Sequence, residues 1–309
     1  MDLKNGVMPL PQILDGSPSL ANAFDFLAGT TVTIDTNPMT RTSEGSPALP
    51  RVQNLTNRVL QKFGLVMMRK VTHQKLNLAL KESADAERKW RIFAAFPYDP
   101  RTFFSLLGAH KSQLGQDLLA VGVSQAKQNG FFVEFGATDG ISLSNTHLLE
   151  KELGWTGILA EPGKNWHAAL QSNRTAEIVK YAVWSQSGEK LSFLEASMPE
   201  LSTLTSFIKS DHHIRKGRVY EVESISLMDL LEQKQAPFFI DFLSIDTEGS
   251  EFDILSSFDF KKYSFGLLCI EHNYSPQREA VASLLEENGY ERILSEVSLW
   301  DSWFVPKES

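Results

Sequence analysis

The sequence is poor in four features, and each shortage counts against a class of protein. Its 309 residues include one cysteine, Cys269, so no intramolecular disulfide forms and this residue is expected to fill the core. The longest apolar runs resemble residues 265–270, far short of the roughly 20 residues of a membrane-spanning helix. Residues 1–6 show no basic-to-apolar pattern, and no secretory signal is expected. Positive charge is also scarce: the net charge of −8 disfavours nucleic-acid binding, and a soluble cytoplasmic protein is expected.

The composition is otherwise that of a globular protein, with 42% hydrophobic and 22% charged residues. A chain of this length fits one large domain, or one domain with an appendage. Residues 1–50 are rich in Pro, Ser, Thr, Asn and Gly without a sustained period, and we expect them to be loosely ordered. Residues 51–107 carry apolar side chains at helical spacing and are predicted to form a helical extension. Residues 108–309 form the predicted main domain.

The helical extension has several candidate roles. Its second helix is predicted over about residues 72–96, because Pro97 and Pro100 stop it there. These helices would cap a crevice of the main domain, join two copies in a homodimer or dock onto a partner enzyme. The basic amphipathic run over residues 54–70 also suits an anionic membrane surface, although packing against the main domain is the better interpretation.

The main domain alternates short apolar runs with amphipathic stretches. Near-continuous apolar strands separated by helices are typical of a parallel sheet that is covered on both faces. Two final runs, joined by a short polar connection, indicate an antiparallel hairpin at one sheet edge. The pattern therefore predicts a doubly wound α/β domain. Its predicted strands are residues 131–135, 157–160, 177–183, 238–245, 265–270, 291–294 and 300–305.

Acidic and glycine residues follow the first predicted strand, where an open α/β sheet binds ligands. Residues 134–140 read EFGATDG, in which Gly136 and Gly140 allow a tight turn and close approach of a ligand. Ala137 and Thr138 replace the second glycine of the dinucleotide pattern G-x-G-x-x-G. The carboxylates Glu134 and Asp139 would repel a pyrophosphate and favour an ammonium or sulfonium group. A plain strand-to-helix turn with a solvated Asp139 is the alternative.

Further acids follow the second, fourth and fifth predicted strands. Glu161 lies 20 to 25 residues past the glycine turn, where an acid accepts the two hydroxyls of a ribose; a helix N-terminal acid is the alternative. Asp246 and Glu248 are candidate general bases or ligands of a hard metal ion. His272 follows the fifth strand and is a candidate general base, with a capping side chain as the alternative.

With these residues identified, the C-terminal two thirds of the chain resembles the FkbM family of S-adenosylmethionine-dependent methyltransferases. The order and spacing of many short motifs carry the resemblance, although the family more often has Asp at position 134 and often Asn at position 138. The resemblance implies a class I methyltransferase (Rossmann-like) fold, with a seven-stranded sheet whose last strand is antiparallel. It also implies O-methylation, often of a sugar or glycan hydroxyl, in polysaccharide, lipopolysaccharide or secondary-metabolite biosynthesis. The motifs are SQLGQD at 112–117, FVEFGATDG at 132–140, SNT at 144–146, GWTG at 154–157, EP at 161–162, STL at 202–204, IDTEGSE at 245–251 and IEH at 270–272.

The resemblance also implies roles for individual residues toward S-adenosylmethionine. The methionine part of the donor would lie on the first turn, Glu161 would hold the ribose, and the end of the third strand would border the adenine. The implied donor-binding residues are Glu134, Gly136, Ala137, Asp139, Gly140, Asn145, Glu161, Ala182 and Val183. His272, Asp246 and Glu248 would face the transferred methyl group. We predict that His272 takes the acceptor proton, while Asp246 orients it or shares a Mg²⁺-type ion with Glu248.

Residues 195–218 form a long segment between the third and fourth predicted strands of the sheet, and such segments are often lids. Its cluster of His212, His213, Arg215 and Lys216 would meet a phosphorylated or uronic-acid acceptor, or else be a solvated polar excursion. Three other functions were weighed as alternatives to O-methylation. N-methylation of a small molecule needs a similar crevice, and a non-catalytic binding module would keep the fold. A nicotinamide oxidoreductase is disfavoured by the missing glycines and the acids of the first turn.

Overall fold

The structure, a computed structural model, describes residues 74–209 and 214–308. The predicted loose segment 1–50, the basic run 54–70 and the remainder of the extension before residue 74 lie outside the described residues. So do His212 and His213 of the predicted lid. Within the described ranges, no helix is long and apolar enough to cross a membrane.

Eight helices and eleven strands are labelled here in chain order within the described ranges. They are α1 (residues 74–95), α2 (Pro100–Leu106), α3 (Gln116–Val123), β1 (Phe131–Phe135), α4 (His147–Leu153), β2 (Thr156–Ala160), α5 (His167–Asn173), β3 (Glu177–Val179), β4 (Ala182–Trp184), β5 (Lys190–Ala196), β6 (Thr203–Leu204), β7 (Gly217–Ser226), α6 (Leu227–Gln233), β8 (Phe239–Ile245), α7 (Glu251–Ser256), β9 (Ser264–Glu271), α8 (Arg278–Glu287), β10 (Tyr290–Ile293) and β11 (Asp301–Pro306). Short 3₁₀ turns lie at Pro199–Leu201 and Thr205–Phe207.

Seven of these strands form one sheet in the spatial order β3–β2–β1–β8–β9–β11–β10. β1 is parallel to both β2 and β8, and β9 is parallel to β8, whereas β11 is antiparallel to both of its neighbours. The strand order reverses between β1 and β8, where Phe135 lies opposite Ile245. This is the class I methyltransferase topology, and the predicted seven-stranded sheet with an antiparallel last strand is confirmed. Its switch point lies at the carboxyl ends of β1 and β8.

Each face of the sheet is covered by helices, because alternate strand residues are apolar on both sides. On one face, Val133 of β1 packs in a cluster with Leu230 of α6 and Leu285 of α8. On the other face, Phe132 packs with Leu118 of α3 and Leu149 of α4. Both clusters consist of close-packed, buried apolar side chains, so the strand ends have a fixed position relative to the helices that flank them.

The described part of the helical extension shares the core of the main domain. Ile92 of α1 is fully buried in the cluster that contains Leu118, and Leu106 of α2 belongs to the same cluster. Arg88 Nε also donates a hydrogen bond to the carbonyl of Val297 at 3.0 Å. Helix α1 ends before Pro97, as the sequence predicts, while its first turns expose Leu76 and Leu80. Residues 74–106 therefore have no separate core.

A second, four-stranded sheet flanks the segment 195–218 that was predicted to be a lid, and only β6 lies wholly within that segment. Its order is β4–β7–β5–β6, with β5 antiparallel to β7 and β4 parallel to β7. The single strand predicted over residues 177–183 is wrong, because it divides into β3 of the large sheet and β4 of the small one. Tyr181 lies at this division, and the small sheet therefore starts beside the end of β3.

Candidate active site

A cavity of about 370 Å³ lies at the carboxyl ends of β1, β2, β8 and β9. Parallel strands bring their carboxyl ends to one edge, so the loops that follow them meet there. Eight of the predicted site residues line this cavity together, and four do not. Those that line it are Glu134, Gly136, Asn145, Glu161, Ala182, Val183, Asp246 and Glu248; those outside the lining are Ala137, Asp139, Gly140 and His272.

Gly136 lets the loop after β1 pass directly over the end of β8. Its φ is +77°, and a Cβ atom there would lie 2.2 Å from the carbonyl oxygen of Asp246. Only glycine combines this backbone angle with this close approach. Gly136 therefore joins the two strands at the switch point and holds the floor of the cavity.

Asp139 and Gly140 build the loop after β1 instead of lining the cavity. The carboxylate of Asp139 accepts hydrogen bonds from the amides of Ile141 and Ser142, at 2.8 and 2.7 Å. A Cβ on Gly140 would lie 2.6 Å from the side chain of Arg174. Their predicted direct contact with the donor is not supported by these positions. Ala137 is likewise buried in the core cluster beneath the loop.

Glu134 is a buried carboxyl group whose partners come from the protein. It accepts hydrogen bonds from the amide of Asn145 at 2.7 Å and from the hydroxyls of Ser144 and Thr146. Burial raises the pKa of Glu134, while the guanidinium of Arg174, at 3.7 Å, opposes that rise. Glu134 thus fixes the 144–146 loop against β1.

Asn145 places an unsatisfied polar atom at the cavity. Its Nδ2 donates to the hydroxyl of Ser244 at 2.8 Å, which leaves Oδ1 oriented without a hydrogen-bond partner among the described residues. A buried carbonyl oxygen of this kind is costly to leave unpaired. A ligand that donates a hydrogen bond, such as an ammonium group, fits this position.

Glu161 links the ends of β2 and β1. Its Oε1 accepts from the amide of Gly163 at 2.6 Å, and its Oε2 accepts from the amide of Thr138 at 2.9 Å. Each carboxylate oxygen keeps a second lone pair for a ligand hydroxyl. Burial raises the pKa of Glu161 to about 7, although the two amides act in the opposite direction. Tyr181, Ala182 and Val183 form an adjoining, mostly apolar wall.

A group of carboxyl groups occupies the other end of the cavity. The ligand atoms of Asp246, Glu248 and Glu271 all lie within 4.8 Å of one another, and Asp301 is paired opposite Glu271 in the sheet. Asp301 accepts from Gln116 Nε2 at 2.8 Å, and burial raises its pKa to about 6. The sequence analysis counted the acid after the fifth strand, Glu271, among those that meet at the crevice but gave it no role, and it did not name Asp301. Only their positions in the sequence could have indicated them, because Glu271 ends β9 and Asp301 begins the neighbouring strand β11.

Hydrogen bonds at Glu248 connect the small sheet and the segment before β7 to this group of carboxyl groups. Arg215 Nη2 donates to Glu248 Oε2 at 2.6 Å, and both side chains are buried. Arg215 Nε also donates to the carbonyl of Leu201, and the hydroxyl of Thr203 donates to the carbonyl of Glu248 at 3.0 Å. Asn273 Nδ2 donates to Glu271 Oε2 at 2.9 Å. Arg215, expected in a lid, is thus part of the cavity wall's support.

The structure does not bring His272 into the cavity. Its Nδ1 accepts the amide hydrogen of Tyr274 at 3.0 Å, and its own amide donates to the carbonyl of Trp300. Burial lowers the pKa of His272 to about 4. A group with that pKa is a weak base at neutral pH, and its capping role is the interpretation that this geometry favours.

The family comparison decides the identity of this site. The family model described as "Methyltransferase FkbM domain" matches residues 134–292, which include the carboxyl ends of β1, β2, β8 and β9 at the cavity. The chain belongs to the FkbM methyltransferase family. It is therefore an S-adenosylmethionine-dependent methyltransferase, as the sequence resemblance implied, and a small-molecule acceptor is expected from the family.

Other comparisons add little to the FkbM assignment. A search of curated proteins finds no match. Among solved structures, the chain is similar to a precorrin-6y C5,15-methyltransferase from Geobacter metallireducens GS-15, with a TM-score of 0.36 and 9% sequence identity. That similarity covers 62% of this chain and 87% of the other. At this distance it carries no information on the acceptor.

Proposed function

We propose that this FkbM methyltransferase methylates a hydroxyl group of an acceptor without negative charge, with a sugar ring as the leading class. The observation that carries the proposal is the charge of the cavity. Seven carboxyl groups belong to its lining, and no Lys, Arg or His is found among the described lining residues. The carboxyl groups are Glu134, Glu161, Glu200, Asp246, Glu248, Glu271 and Asp301.

The donor side of the cavity fits S-adenosylmethionine. Glu161 has free lone pairs for the ribose hydroxyls, and the unpaired Oδ1 of Asn145 suits the donor's ammonium group. The wall at Tyr181, Ala182 and Val183 suits an adenine ring. S-adenosylmethionine supplies a methyl group on a positively charged sulfur, which a carboxylate-lined cavity favours electrostatically. The protein's task is then mainly to align donor and acceptor.

The acceptor side disfavours negative charge, which revises the expectation of a phosphorylated or uronic-acid acceptor. Of the basic cluster invoked for such an acceptor, Arg215 is buried against Glu248 instead of exposed to the cavity. An anionic acceptor would meet Asp246, Glu271 and Asp301 without a compensating cation from the described lining. A neutral ring with hydroxyl groups avoids this repulsion. An amine acceptor also avoids it, so N-methylation is the second candidate.

A divalent cation has no step in the proposed reaction. The carboxylates Asp246, Glu248 and Glu271 lie close enough together to bind one. However, the Arg215 guanidinium already contacts Glu248 at 2.6 Å, and a second positive charge beside it would be repelled. We expect methyl transfer to persist after exhaustive chelation. Loss of transfer on chelation, followed by recovery with Mg²⁺, would contradict this part of the proposal.

Two experiments test the function. Calorimetry with S-adenosylmethionine and S-adenosylhomocysteine is expected to give binding heats, and NAD⁺ is expected to give none. Transfer of a labelled methyl group is then compared between methyl glucoside and methyl glucuronide, which differ only at C6, where a carboxylate replaces the hydroxymethyl group, with methyl xyloside, which has neither group, as the control and glucosamine as an amine. We expect transfer to the glucoside over the glucuronide, and product analysis separates O- from N-methylation. Preference for the glucuronide would contradict the proposal that the acceptor carries no negative charge. Absence of binding by both S-adenosylmethionine and S-adenosylhomocysteine would contradict the methyltransferase function itself.

A further inference from the structure

A buried arginine, Arg174, connects helix α5 with the loop that follows β1. It comes directly after Asn173, the last residue of α5, and its side chain has no exposed surface. Its Nε donates a hydrogen bond to Glu150 Oε2 of α4 at 2.8 Å, which fixes the plane of the guanidinium. The two terminal nitrogens, Nη1 and Nη2, are then available to other partners.

These two nitrogens bind both ends of residues 140–146 in the loop after β1. Nη1 donates to the carbonyl of Gly140 and to the hydroxyl of Ser144, each at 3.1 Å. Nη2 donates to the hydroxyl of Thr146 at 2.8 Å. A planar group with several donors in a rigid fork can make these contacts at once. One side chain thus joins the start of this segment to its end.

Asn145 lies between the two hydroxyl residues that Arg174 binds. The hydroxyls of Ser144 and Thr146 accept from Arg174 and donate to the carboxylate of Glu134. The same carboxylate accepts from the amide of Asn145 at 2.7 Å. The backbone on both sides of Asn145 is therefore fixed, and so is the direction in which its unpaired Oδ1 points at the cavity.

The ribose side of the cavity has its own hydrogen bonds. Glu161 accepts from the amides of Thr138 and Gly163, and Thr138 precedes the segment that Arg174 holds. Within the described residues, the hydrogen bonds of Arg174 go to other groups than these three. The two ends of the cavity's donor side are thus ordered by separate sets of contacts.

We propose that Arg174 is a positioning residue for the amino-acid end of the donor, because it directs Oδ1 of Asn145 at the donor's ammonium group. This inference rests on the proposed function, since it assumes that S-adenosylmethionine occupies the cavity. Arg174 itself lies outside the cavity lining. Lysine at this position would keep a positive charge near Glu134 and Glu150, but its single nitrogen cannot bind both ends of the segment.

The test compares two ligands that share the adenosine end of the donor. S-adenosylhomocysteine carries the amino-acid end, and 5′-methylthioadenosine lacks it. In calorimetry, Arg174→Lys should bind S-adenosylhomocysteine about 10- to 100-fold more weakly than the wild type, with methylthioadenosine within about threefold. Arg88→Lys is the matched control: this largely buried arginine of α1 donates to the carbonyl of Val297, and its replacement should change neither affinity.

A double-mutant cycle tests whether Arg174 acts through Asn145. Asn145→Ala removes the oxygen that faces the ammonium group, so adding Arg174→Lys should weaken S-adenosylhomocysteine binding by no more than about threefold. Full additivity of the two losses would contradict the proposal, as would equal losses for both ligands in Arg174→Lys. The cycle uses one ligand, so it also decides where methylthioadenosine binds too weakly to measure.

Two further outcomes have separate meanings. Absence of S-adenosylhomocysteine binding by the wild type contradicts the proposed function, whatever Arg174 does. Thermal unfolding identifies a variant that fails to fold. In that case Thr146→Val, which keeps the side-chain shape but removes one hydroxyl that Arg174 binds, takes the place of Arg174→Lys. The same selective loss of S-adenosylhomocysteine binding is expected, and an unchanged affinity would contradict the proposal.

Discussion

The acids of the cavity differ in their partners, and their partners determine what each one does. Glu134 has its hydrogen bonds from the 144–146 loop and the nearby Arg174, so it orders protein. The carboxylate of Glu161 accepts hydrogen bonds from two backbone amides, and each of its oxygens keeps a lone pair that can accept a hydrogen bond from a ligand. Asp246 and Glu271 lie close together at the other end of the cavity, where burial raises the pKa of both carboxyl groups. Carboxyl groups of one cavity thus differ in their surroundings: one anchors a loop, one keeps lone pairs for a ligand, and two lie among other acids.

Replacement of Glu161 by Gln should weaken donor binding. The amide NH₂ would face either the Thr138 or the Gly163 amide, both of which are donors, and the charge that favours the ribose hydroxyls would be lost. We expect the affinity for S-adenosylhomocysteine to fall about 10- to 100-fold. Calorimetry measures the change, with Glu223→Gln as the matched control on the exposed surface. Unaltered affinity in Glu161→Gln would show that the ribose is held elsewhere.

Replacement of His272 by Asn tests whether His272 is the general base, as the sequence predicts. Because His272 lies outside the cavity lining, we expect donor affinity and methyl transfer to stay within about threefold of the wild type. The free energy of unfolding should fall by about 1–2 kcal/mol, because the buried ring and its bond to the Tyr274 amide are lost. Abolished transfer with intact donor affinity would return the base to His272.

The sequence placed most of the cavity lining, whereas the surroundings of its candidate base, His272, depend on the fold. Glu161, Asp246 and the Gly136 turn follow strands that are recognisable as apolar runs. The partnership of Asp246 with Glu271 depends on the register of two strands, and no local pattern records a register. His272 was favoured by its intrinsic pKa, whereas burial, which only the fold reveals, lowers that pKa to about 4.

At the level of elements, the site depends on contact between the loop after β1 and the end of β8. Gly136 makes that contact with its φ of +77°. Gly188, in the turn between β4 and β5, has a similar φ of +80°, but a Cβ there would meet nothing within 4 Å. The two glycines therefore separate the effect of backbone angle from the effect of close packing.

Alanine at each of these glycines should have different consequences. Both variants pay for a left-handed backbone angle, about 1–2 kcal/mol in the free energy of unfolding. Gly136→Ala should lose roughly a further 1–3 kcal/mol and weaken S-adenosylhomocysteine binding, because β1 and β8 must move apart. Urea denaturation and calorimetry measure the two effects. Equal stability losses in both variants, with donor affinity intact, would contradict the claimed contact.

The elements of the large sheet were predictable and those of the small sheet were not. Apolar runs predicted β1, β2, β8 and β9, because strands covered on both faces need continuous apolar residues. β7 is largely exposed over its first half, so its residues resemble a polar loop. β4 was merged with β3 because both are apolar, and only pairing with β7 separates them. Pairing between strands that are distant in sequence thus determines the strand boundaries that the local pattern leaves ambiguous.

At the scale of the whole molecule, buried carboxyl groups make stability depend on pH near neutrality. A carboxyl group whose pKa is raised by folding stabilises the protein at low pH, and this contribution is lost as pH rises through the folded-state pKa. Glu161, with a pKa of about 7, and Asp301, with a pKa of about 6, are of this kind. His272 acts oppositely, because its pKa is lowered from 6.5 to about 4, and most of its effect lies below pH 6.5.

The free energy of unfolding should therefore fall between pH 6.5 and pH 8, where the opposing change from His272, about 0.4 kcal/mol, is smaller than that from Glu161. From Glu161 alone we expect a fall of about 1 kcal/mol over this window. Urea denaturation at half-unit pH steps measures it, and Glu161→Gln should show a smaller fall than Glu223→Gln. A wild-type stability that rises with pH over the same window would contradict the raised carboxyl pKa values.

Hydrogen exchange with and without S-adenosylhomocysteine tests most directly that the donor occupies the cavity at the switch point. The account predicts slower amide exchange in the loops after β1 and β2, at residues 136–146 and 161–163, and at residues 181–183 and 246–249. It predicts no change at the opposite end of the sheet, at residues 234–239. Protection at that opposite end, or protection that omits the loops after β1 and β2, would contradict the account.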